Sequence, residues 1–218
     1  MPFNIHSIYD LVFKIWRRKR FNLFLEYLKP QKSDILLDVG GYPWFWLSHP
    51  QPVAQIDVLN IHKIDWDASQ HPDYNIKTII GDGCSLNLPD KSYDIGFSNS
   101  VIEHVGSWEK QKRFAAEIRR VANAIWVQTP AFECPIEPHY IAPCIHYFPS
   151  NVQKKIIRWT SVWGWLERPD KNKINEMVEN TRLLRKSEMI ELFPDCKIIT
   201  EKLFGLIPKS YIAVRLKQ

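Results

Sequence analysis

Five short apolar runs, each ending in or followed by glycine or a polar residue, constrain the fold of this 218-residue chain most strongly. A run of four to eight apolar residues bounded by turn residues is typical of a strand buried on both faces of a parallel sheet. The runs occur at 35–41, 53–57, 77–80, 93–98 and 124–128. They predict a parallel sheet whose strands end in polar residues.

Helical periodicity separates and flanks these runs. Strands that alternate with helices form right-handed βαβ units, so we predict an α/β fold with a doubly wound, mostly parallel sheet. The two last apolar runs are separated by a gap of hairpin length, which predicts a terminal β-hairpin rather than another βαβ unit. The helical segments are 5–28, 107–121, 150–180 and 185–193, and the last two strands are 197–204 and 210–216.

The strand ends carry a set of candidate ligand-binding residues. Glycine allows the backbone to approach a ligand, and the start of a following helix offers N–H groups to an anion. An acid at the end of the second strand can accept hydrogen bonds from ribose hydroxyls, although it can equally cap the next turn. The candidates are Asp38, Gly40 and Gly41, then Asp57, then Asp82, Gly83 and Cys84, then Ser98 and Asn99.

The glycine turn departs from the dinucleotide-binding pattern. Tyr42, Pro43 and Trp44 follow Gly41, so the full G-x-G-x-x-G motif is absent. That absence counts against an oxidoreductase that uses NAD.

The stretch from Gly81-Asp82 through Leu88-Pro89 and Tyr93-Asp94 to Glu103-His104 resembles the type 11 group of class I S-adenosylmethionine-dependent methyltransferases. The resemblance implies a seven-stranded sheet with an antiparallel last strand and S-adenosylmethionine as cofactor. It assigns the methionine end of the cofactor to Asp38 and Gly40, the ribose to Asp57, and the adenine to Asp82 with Gly83 or Cys84. Tyr42 and Trp44 replace two glycines of the usual family motif, and Pro43 with Trp46 fits a subgroup that has Asp-Val-Gly-Gly-x-Pro.

Within this interpretation, residues 1–218 form a single methyltransferase domain with four parts. The segment after the fifth strand, rich in proline and histidine, follows the sheet edge at which ligands bind in open α/β folds. The parts are an N-terminal helical cap (1–30), a cofactor-binding core (31–130), a substrate-side loop and helical insert (131–185), and a helix with the C-terminal hairpin (186–218).

Methyl transfer to a hydroxyl requires a group that takes its proton, and histidine has a suitable pKa. The candidate catalytic residues are His139, His104 and Glu103. The prolines around His139 favour a positioned base, but a structural hydrogen bond would also explain this residue. His104 could instead only pack against the cofactor or core, and His146 fits a structural role better.

The net charge of +5 comes partly from Arg17-Arg18-Lys19-Arg20. This cluster could attract phosphates or an anionic lipid surface weakly, or it could be a solvated helix face. No RNA-binding module is recognisable, so we expect a small-molecule or glycan acceptor and no nucleic acid.

The four cysteines contain no C-x-x-C pair, which predicts buried free thiols and no metal site. No apolar run approaches the roughly 20 residues of a membrane span, and the N-terminus lacks the layout of a signal peptide. We therefore expect a cytoplasmic protein. The leading function is a methyltransferase that acts on oxygen. The alternatives are a cofactor-binding relative without catalysis, an oxidoreductase that uses NAD and an enzyme acting on nucleic acid.

Overall fold

The computed structural model describes the backbone of residues 5–217 and the side chains of residues 16–217; the expected lack of a signal peptide concerns residues that lie largely outside this part. In chain order, the helices are α1 (Ile5–Leu28), α2 (Pro43–Trp46), α3 (Trp108–Val121), α4 (Ser150–Thr160), α5 (Val162–Glu167), α6 (Lys171–Glu179) and α7 (Lys186–Leu192). The strands are β1 (Ile35–Val39), β2 (Gln55–Asn60), β3 (Ile76–Ile80), β4 (Tyr93–Asn99), β5 (Ala122–Pro130), β6 (Ile136–Glu137), β7 (Ala142–Pro143), β8 (Lys197–Leu203) and β9 (Ile207–Arg215).

Seven strands form one sheet in the order β3-β2-β1-β4-β5-β9-β8. Strands β1 to β5 are parallel, and β9 runs antiparallel between β5 and β8. This confirms the predicted fold class, including the antiparallel last strand. The terminal hairpin is also confirmed: Leu203 pairs with Ile207 across its turn.

Helices cover both faces of the sheet. On one face, Phe24 of α1 and Trp46 of α2 pack against Phe97 of β4, with ring centroids 5.3 Å and 5.0 Å from that of Phe97. On the other face, Phe114 and Ile118 of α3 lie in a second fully buried apolar cluster to which α7 contributes. The sheet is therefore covered by helices on both faces. Each Å² of apolar surface buried there stabilises the packing by about 25 cal/mol.

The connection between β2 and β3 contains no α-helix, unlike the general strand–helix–strand alternation from which the fold was predicted. Its helical element is a 3₁₀ turn at Ala68–Gln70. The Trp66 ring stacks on His71 at 4.8 Å, and its indole N–H donates a hydrogen bond to the carbonyl of Ile76. The Trp66 side chain thus holds this connection against the start of β3, without an α-helix.

Within the 131–185 segment, six buried residues form an apolar cluster of their own: Tyr140, Ala142, Ile145, Ile157, Ile174 and Val178. The predicted loop at 129–149 contains a two-stranded hairpin in which Glu137 of β6 lies opposite Ala142 of β7. The predicted helical stretch at 150–180 is divided into three helices. Ser161 caps the start of α5 by accepting from the N–H of Gly164, and Arg168 ends that helix in a left-handed conformation.

Two expectations about the surface are altered. The basic cluster is divided, because Arg17, Arg18 and Lys19 are exposed whereas Arg20 points inwards to Glu201. All four cysteines are free, but only Cys134 is buried, whereas Cys84 and Cys196 are half-buried and Cys144 is exposed. Among the described helices, none has the length and apolar character that a membrane span requires.

Candidate active site

The loop after β1 is shaped around the carboxylate of Asp38. This side chain is buried, and its Oδ2 accepts a hydrogen bond of 2.8 Å from the indole N–H of Trp46. Gly40 has a φ of +82°, which favours glycine, and a Cβ on it would collide with Val101. In this turn, the Asp38 carboxylate and the Trp46 indole pack together beside Gly40 and Gly41.

The second oxygen of this carboxylate, Asp38 Oδ1, is buried without a hydrogen-bond partner. Burial raises the pKa of Asp38 to about 7, although the hydrogen bond from Trp46 opposes the rise. A buried carboxyl oxygen that lacks a donor can accept a hydrogen bond from an ammonium group. Asp38 therefore fits the methionine end of S-adenosylmethionine, which carries such a group.

Asp57 does not lie at the end of β2, so the predicted strand end is wrong. The strand continues to Asn60, and Asp57 pairs in register with Leu37 in its middle. The Asp57 carboxylate accepts hydrogen bonds from the Tyr93 hydroxyl at 2.7 Å and from Gln55 at 2.8 Å. Both carboxylate oxygens of Asp57 are therefore engaged by neighbouring side chains.

Asn60 is the residue that the strand end brings to the glycine turn. Its side-chain amide donates to the carbonyl of Gly41 at 3.2 Å, and its Oδ1 accepts from the N–H of His62. The sequence gives one signal for it: the apolar run continues through Val58 and Leu59 before it meets a polar residue.

The turn after β3 lies at the carboxyl edge of the sheet, as expected. Asp82 is exposed, and its Oδ1 accepts from the backbone N–H of Cys84 at 2.8 Å. A Cβ on Gly83 would lie 2.8 Å from Phe114 and Val39, so the turn packs tightly on the core. Burial raises the pKa of the Cys84 thiol to about 11, with a further contribution from Asp82.

Ser98 and Asn99 end β4 in different environments. Ser98 is fully buried, and its hydroxyl donates to the carbonyl of Val39, which ties β4 to β1. Asn99 accepts a hydrogen bond of 2.9 Å from Arg20, whose guanidinium also binds Glu201. The sequence analysis placed Arg20 in the basic cluster but not at this strand end, because its partners lie 79 and 181 residues away in sequence.

Two histidines and two buried carboxylates meet beyond β4 and β5. The rings of His104 and His139 are 4.6 Å apart and perpendicular. His139 Nδ1 lies 2.6 Å from Glu137 Oε1, and its Nε2 lies 4.0 Å from Glu103 Oε1. The structure therefore brings together the three catalytic candidates, and Glu137 completes the cluster.

Local structure explains how these side chains are held. Glu103 and His104 lie on a 3₁₀ turn that follows β4, and Glu103 Oε2 accepts from the Thr129 hydroxyl of β5. Glu137 also accepts from the backbone N–H of Tyr140, which closes the short loop that carries His139. Pro138 stiffens this loop by fixing its own φ.

The environment shifts the pKa values of the cluster in different directions. Burial alone would lower the pKa of His139, but the hydrogen bond and charge of Glu137, with the charge of Glu103, raise it. Partial burial of the His104 ring, together with the charge of the neighbouring His139, lowers the pKa of His104 to about 4. Burial raises the pKa of Glu103.

His146 lies apart from this cluster. Its Nε2 makes a hydrogen bond of 2.9 Å with the carbonyl of Phe132, and burial lowers its pKa. Among the described residues, the carboxylate and imidazole atoms of Glu103, His104 and His139 all lie within 4.8 Å of one another. Such a group can accept a proton or bind a metal ion, whereas the sequence indicated no metal because it lacks a cysteine pair.

Comparison with known proteins identifies part of the chain. Residues 40–124 match the family model described as "Methyltransferase domain", type 11. This segment includes the glycine turn, the β3 turn and Glu103-His104, but it ends before His139. No curated protein sequence matches the chain significantly.

Solved structures share the fold at low sequence identity. A candidate zinc-dependent alcohol dehydrogenase from Rhodobacter sphaeroides has 11% identity and a TM-score of 0.60, with 90% of this chain and 88% of that chain covered. The PH0226 protein from Pyrococcus horikoshii OT3 has 15% identity and a TM-score of 0.57, covering 93% and 89%. An S-adenosylmethionine-dependent methyltransferase from Methanosarcina mazei has 15% identity and a TM-score of 0.53, covering 90% and 98%. At these identities, each likeness concerns the fold alone.

Proposed function

We propose that this chain, in which residues 40–124 match the family model of a methyltransferase domain, is a class I S-adenosylmethionine-dependent methyltransferase of the type 11 group and that it methylates an oxygen atom of a small molecule or a glycan precursor. The observation that carries the proposal is the cluster of Glu103, His104 and His139. A neutral hydroxyl loses its proton on methylation, so an oxygen acceptor requires a nearby group that takes it.

Two parts of the carboxyl edge are assigned to the cofactor. Asp38 Oδ1 would accept a hydrogen bond from the ammonium group of the methionine moiety, since this buried oxygen otherwise has no donor. The adenine is assigned to the turn of Asp82, Gly83 and Cys84, as the family resemblance implies. The bound cofactor supplies a methyl group on a sulfonium, which is open to in-line displacement.

For the ribose, the end of β2 is a better candidate than its middle. Asp57 already accepts from Tyr93 and Gln55, whereas Asn60 holds the carbonyl of Gly41 beside the turn. We therefore move the ribose assignment from Asp57 to the segment that starts at Asn60.

His139 is the candidate proton acceptor in the metal-free chain. Because Glu137 holds Nδ1, the tautomer with a free lone pair on Nε2 is favoured, and that nitrogen faces Glu103. The acceptor hydroxyl would pass its proton to Nε2 while its oxygen takes the methyl group. Positioning of the oxygen and the methyl carbon in line would supply most of the acceleration.

A cavity of about 220 Å³ next to Glu137 supports a small acceptor or one sugar ring of a larger one. Phe132 and Tyr140 offer aromatic rings, and Arg182 and Arg185 offer hydrogen-bond donors. Aromatic rings with a few placed polar groups are typical of small-molecule sites. The cavity lies in the 131–185 insert, which supports its proposed role as the substrate side.

The test begins with ligand binding, measured as a shift in thermal unfolding with S-adenosylmethionine, S-adenosylhomocysteine and NAD. A ligand at 100 times its dissociation constant adds about 2.7 kcal/mol to the free energy of unfolding. We expect stabilisation by both adenosyl compounds and none by NAD, which would exclude the oxidoreductase alternative.

The acceptor is then sought with methyl-labelled cofactor and a panel of sugars, phenols and amines, and NMR locates the new methyl group. We expect an O-methyl product. A product methylated only at nitrogen or carbon would overturn the proposal while leaving the methyltransferase activity intact.

A further inference from the structure

We propose that Glu103, His104 and His139 form a three-ligand binding site for a divalent transition-metal ion, with Zn²⁺ as the best fit. The potential ligand atoms of these residues all lie within 4.8 Å of one another. Two imidazoles and one carboxylate are a ligand set that Zn²⁺ uses in catalytic sites, where a fourth position stays open.

The environment of His139 is the first support. A metal-bound histidine usually donates its other ring N–H to a carboxylate, which fixes the tautomer and orients the ring. His139 has this arrangement, because Nδ1 lies 2.6 Å from Glu137 Oε1 while Nε2 faces Glu103 Oε1. Glu137 is itself 1% exposed and is held by the N–H of Tyr140.

Glu103 gives the second and independent support. Its side chain is 0% exposed, and its Oε2 is engaged by the Thr129 hydroxyl. Its Oε1 has no hydrogen-bond partner and is directed at His139. A buried carboxylate oxygen without a partner is costly, and a cation bound to it would remove that cost.

The distances are compatible with a metal after a small adjustment. Tetrahedral Zn²⁺ with bonds of about 2.0–2.1 Å places its ligand atoms about 3.3 Å apart. His139 Nε2 and Glu103 Oε1 are 4.0 Å apart and all three ligand atoms lie within 4.8 Å of one another, so they need to approach by up to about 1.5 Å. His104 lies on a 3₁₀ turn with one edge exposed, and its ring packs against that of His139 at 4.6 Å.

The chemistry of the ligands selects the type of ion. Mg²⁺ and Ca²⁺ prefer oxygen ligands, whereas imidazole suits Zn²⁺ and its transition-metal neighbours. We therefore expect Zn²⁺ or Co²⁺ to bind and Mg²⁺ not to bind.

One consequence rests on the proposed function. With the ion bound, the lone pair of His139 Nε2 is occupied, so the ion would replace His139 in activating the acceptor. A hydroxyl in the open position would have a lower pKa and would release its proton to water. Its oxygen would then form a bond to the methyl carbon as the bond from that carbon to sulfur breaks.

The experiment measures binding on the full chain, without cofactor or acceptor. Calorimetry with Zn²⁺ gives stoichiometry and affinity, and the visible absorption of Co²⁺ reports the coordination number. We expect one ion per chain and a four-coordinate Co²⁺ spectrum. Absence of stoichiometric Zn²⁺ binding to the folded protein would overturn the proposal.

Variants locate the site. His104→Ala and Glu103→Gln are expected to weaken Zn²⁺ binding by more than the roughly 100-fold that outer-sphere changes reach, and Glu137→Gln by about 10- to 100-fold. His146→Ala is the matched control, because this histidine of the same insert lies outside the cluster. Circular dichroism checks that each variant folds; His104, being exposed, is the substitution least able to disturb the core. Binding that survives both ligand variants, or that depends on His146, would overturn the site.

The readouts separate this inference from the proposed function. Zn²⁺ binding without O-methylation of any hydroxyl would contradict the proposed function and leave the metal site standing. O-methylation by a chelator-treated enzyme that shows no Zn²⁺ binding when the ion is added back would contradict the metal site and leave the proposed function standing.

Discussion

The carboxylate of Asp38 lies in the space that a side chain on residue 41 would fill. A Cβ on Gly41 would come within 2.0 Å of Asp38 Oδ2, the same oxygen that accepts the hydrogen bond from Trp46. The turn, the carboxylate and the indole are therefore one packed unit, and a change in one displaces the others.

The Gly41→Ala substitution is expected to destabilise the protein by about 1–3 kcal/mol, the usual cost of overpacking. It should also abolish S-adenosylmethionine binding, since the displaced Asp38 can no longer present Oδ1. Urea unfolding and calorimetry measure the two effects. Gly81→Ala is the control, because its nearest neighbour is the flexible end of Leu59. Normal cofactor affinity in Gly41→Ala would contradict this role of the turn.

Asp38 should make the stability of the cofactor-free protein fall as the pH rises. Its pKa is raised from 3.8 to about 7, so the folded state favours the protonated form. The stabilisation is complete below about pH 4 and is lost as the pH passes about 7. At 1.36 kcal/mol per pKa unit, the loss is at most about 4 kcal/mol.

The measurement compares unfolding free energies of the wild type and Asp38→Asn from pH 4 to 8. Subtraction removes the contributions of the other carboxylates. If both proteins show the same slope, the carboxyl of Asp38 is not the group responsible. S-adenosylmethionine should reduce the loss at high pH, because its ammonium group favours the ionised carboxylate.

Asp57 and Asn60 are expected to separate stability from cofactor affinity. Asp57→Asn removes an acceptor from Tyr93 or Gln55 and should cost about 1–3 kcal/mol of stability with little effect on binding. Asn60→Ala should weaken S-adenosylmethionine binding, because it frees the Gly41 carbonyl from its donor. Calorimetry measures the S-adenosylmethionine affinity of both variants. Weaker binding in Asp57→Asn with normal binding in Asn60→Ala would return the ribose assignment to Asp57.

His139→Ala is expected to lower the turnover number by about 10²- to 10⁴-fold, the range for a lost acid–base group. Cofactor affinity should be retained, since the assigned cofactor contacts lie at other strand ends. His146→Ala should affect the KM for the acceptor more than the turnover number, because His146 lines the cavity beside Glu137 but is hydrogen-bonded to Phe132 outside the cluster. Equal rate losses in the two variants would indicate that the insert is merely destabilised.

The order of strands in the chain could be predicted because buried parallel strands appear in the sequence as nearly uninterrupted apolar runs. The same signal failed at Asp57. An acid normally interrupts such a run, but this one is buried against Tyr93, a residue 36 positions away in sequence. A partner at that distance leaves no local trace, so the strand was ended three residues early.

The meeting of His104 with His139 follows from the rule that parallel strands bring their carboxyl ends to one edge. The hydrogen-bond partners of the two carboxylates do not follow from any such rule. That Glu103 keeps one oxygen without a partner, and that Glu137 takes the Nδ1 of His139, depends on side-chain packing across three elements. The proposed metal site has no sequence signal for the same reason, since its three candidate ligands have no fixed spacing in sequence.

The separate apolar cluster of the 131–185 insert has an evolutionary and engineering consequence. Because Tyr140, Ile157 and Val178 pack around a centre of their own, we expect that the insert can be exchanged as a cassette, provided that its ends, where Ala131 and Leu184 belong to the sheet core, are kept. The cassette is not catalytically neutral, however, since it carries His139 and Glu137, while Glu103 and His104 belong to the core. A chimera would therefore inherit both the acceptor preference and half of the reactive cluster from its donor.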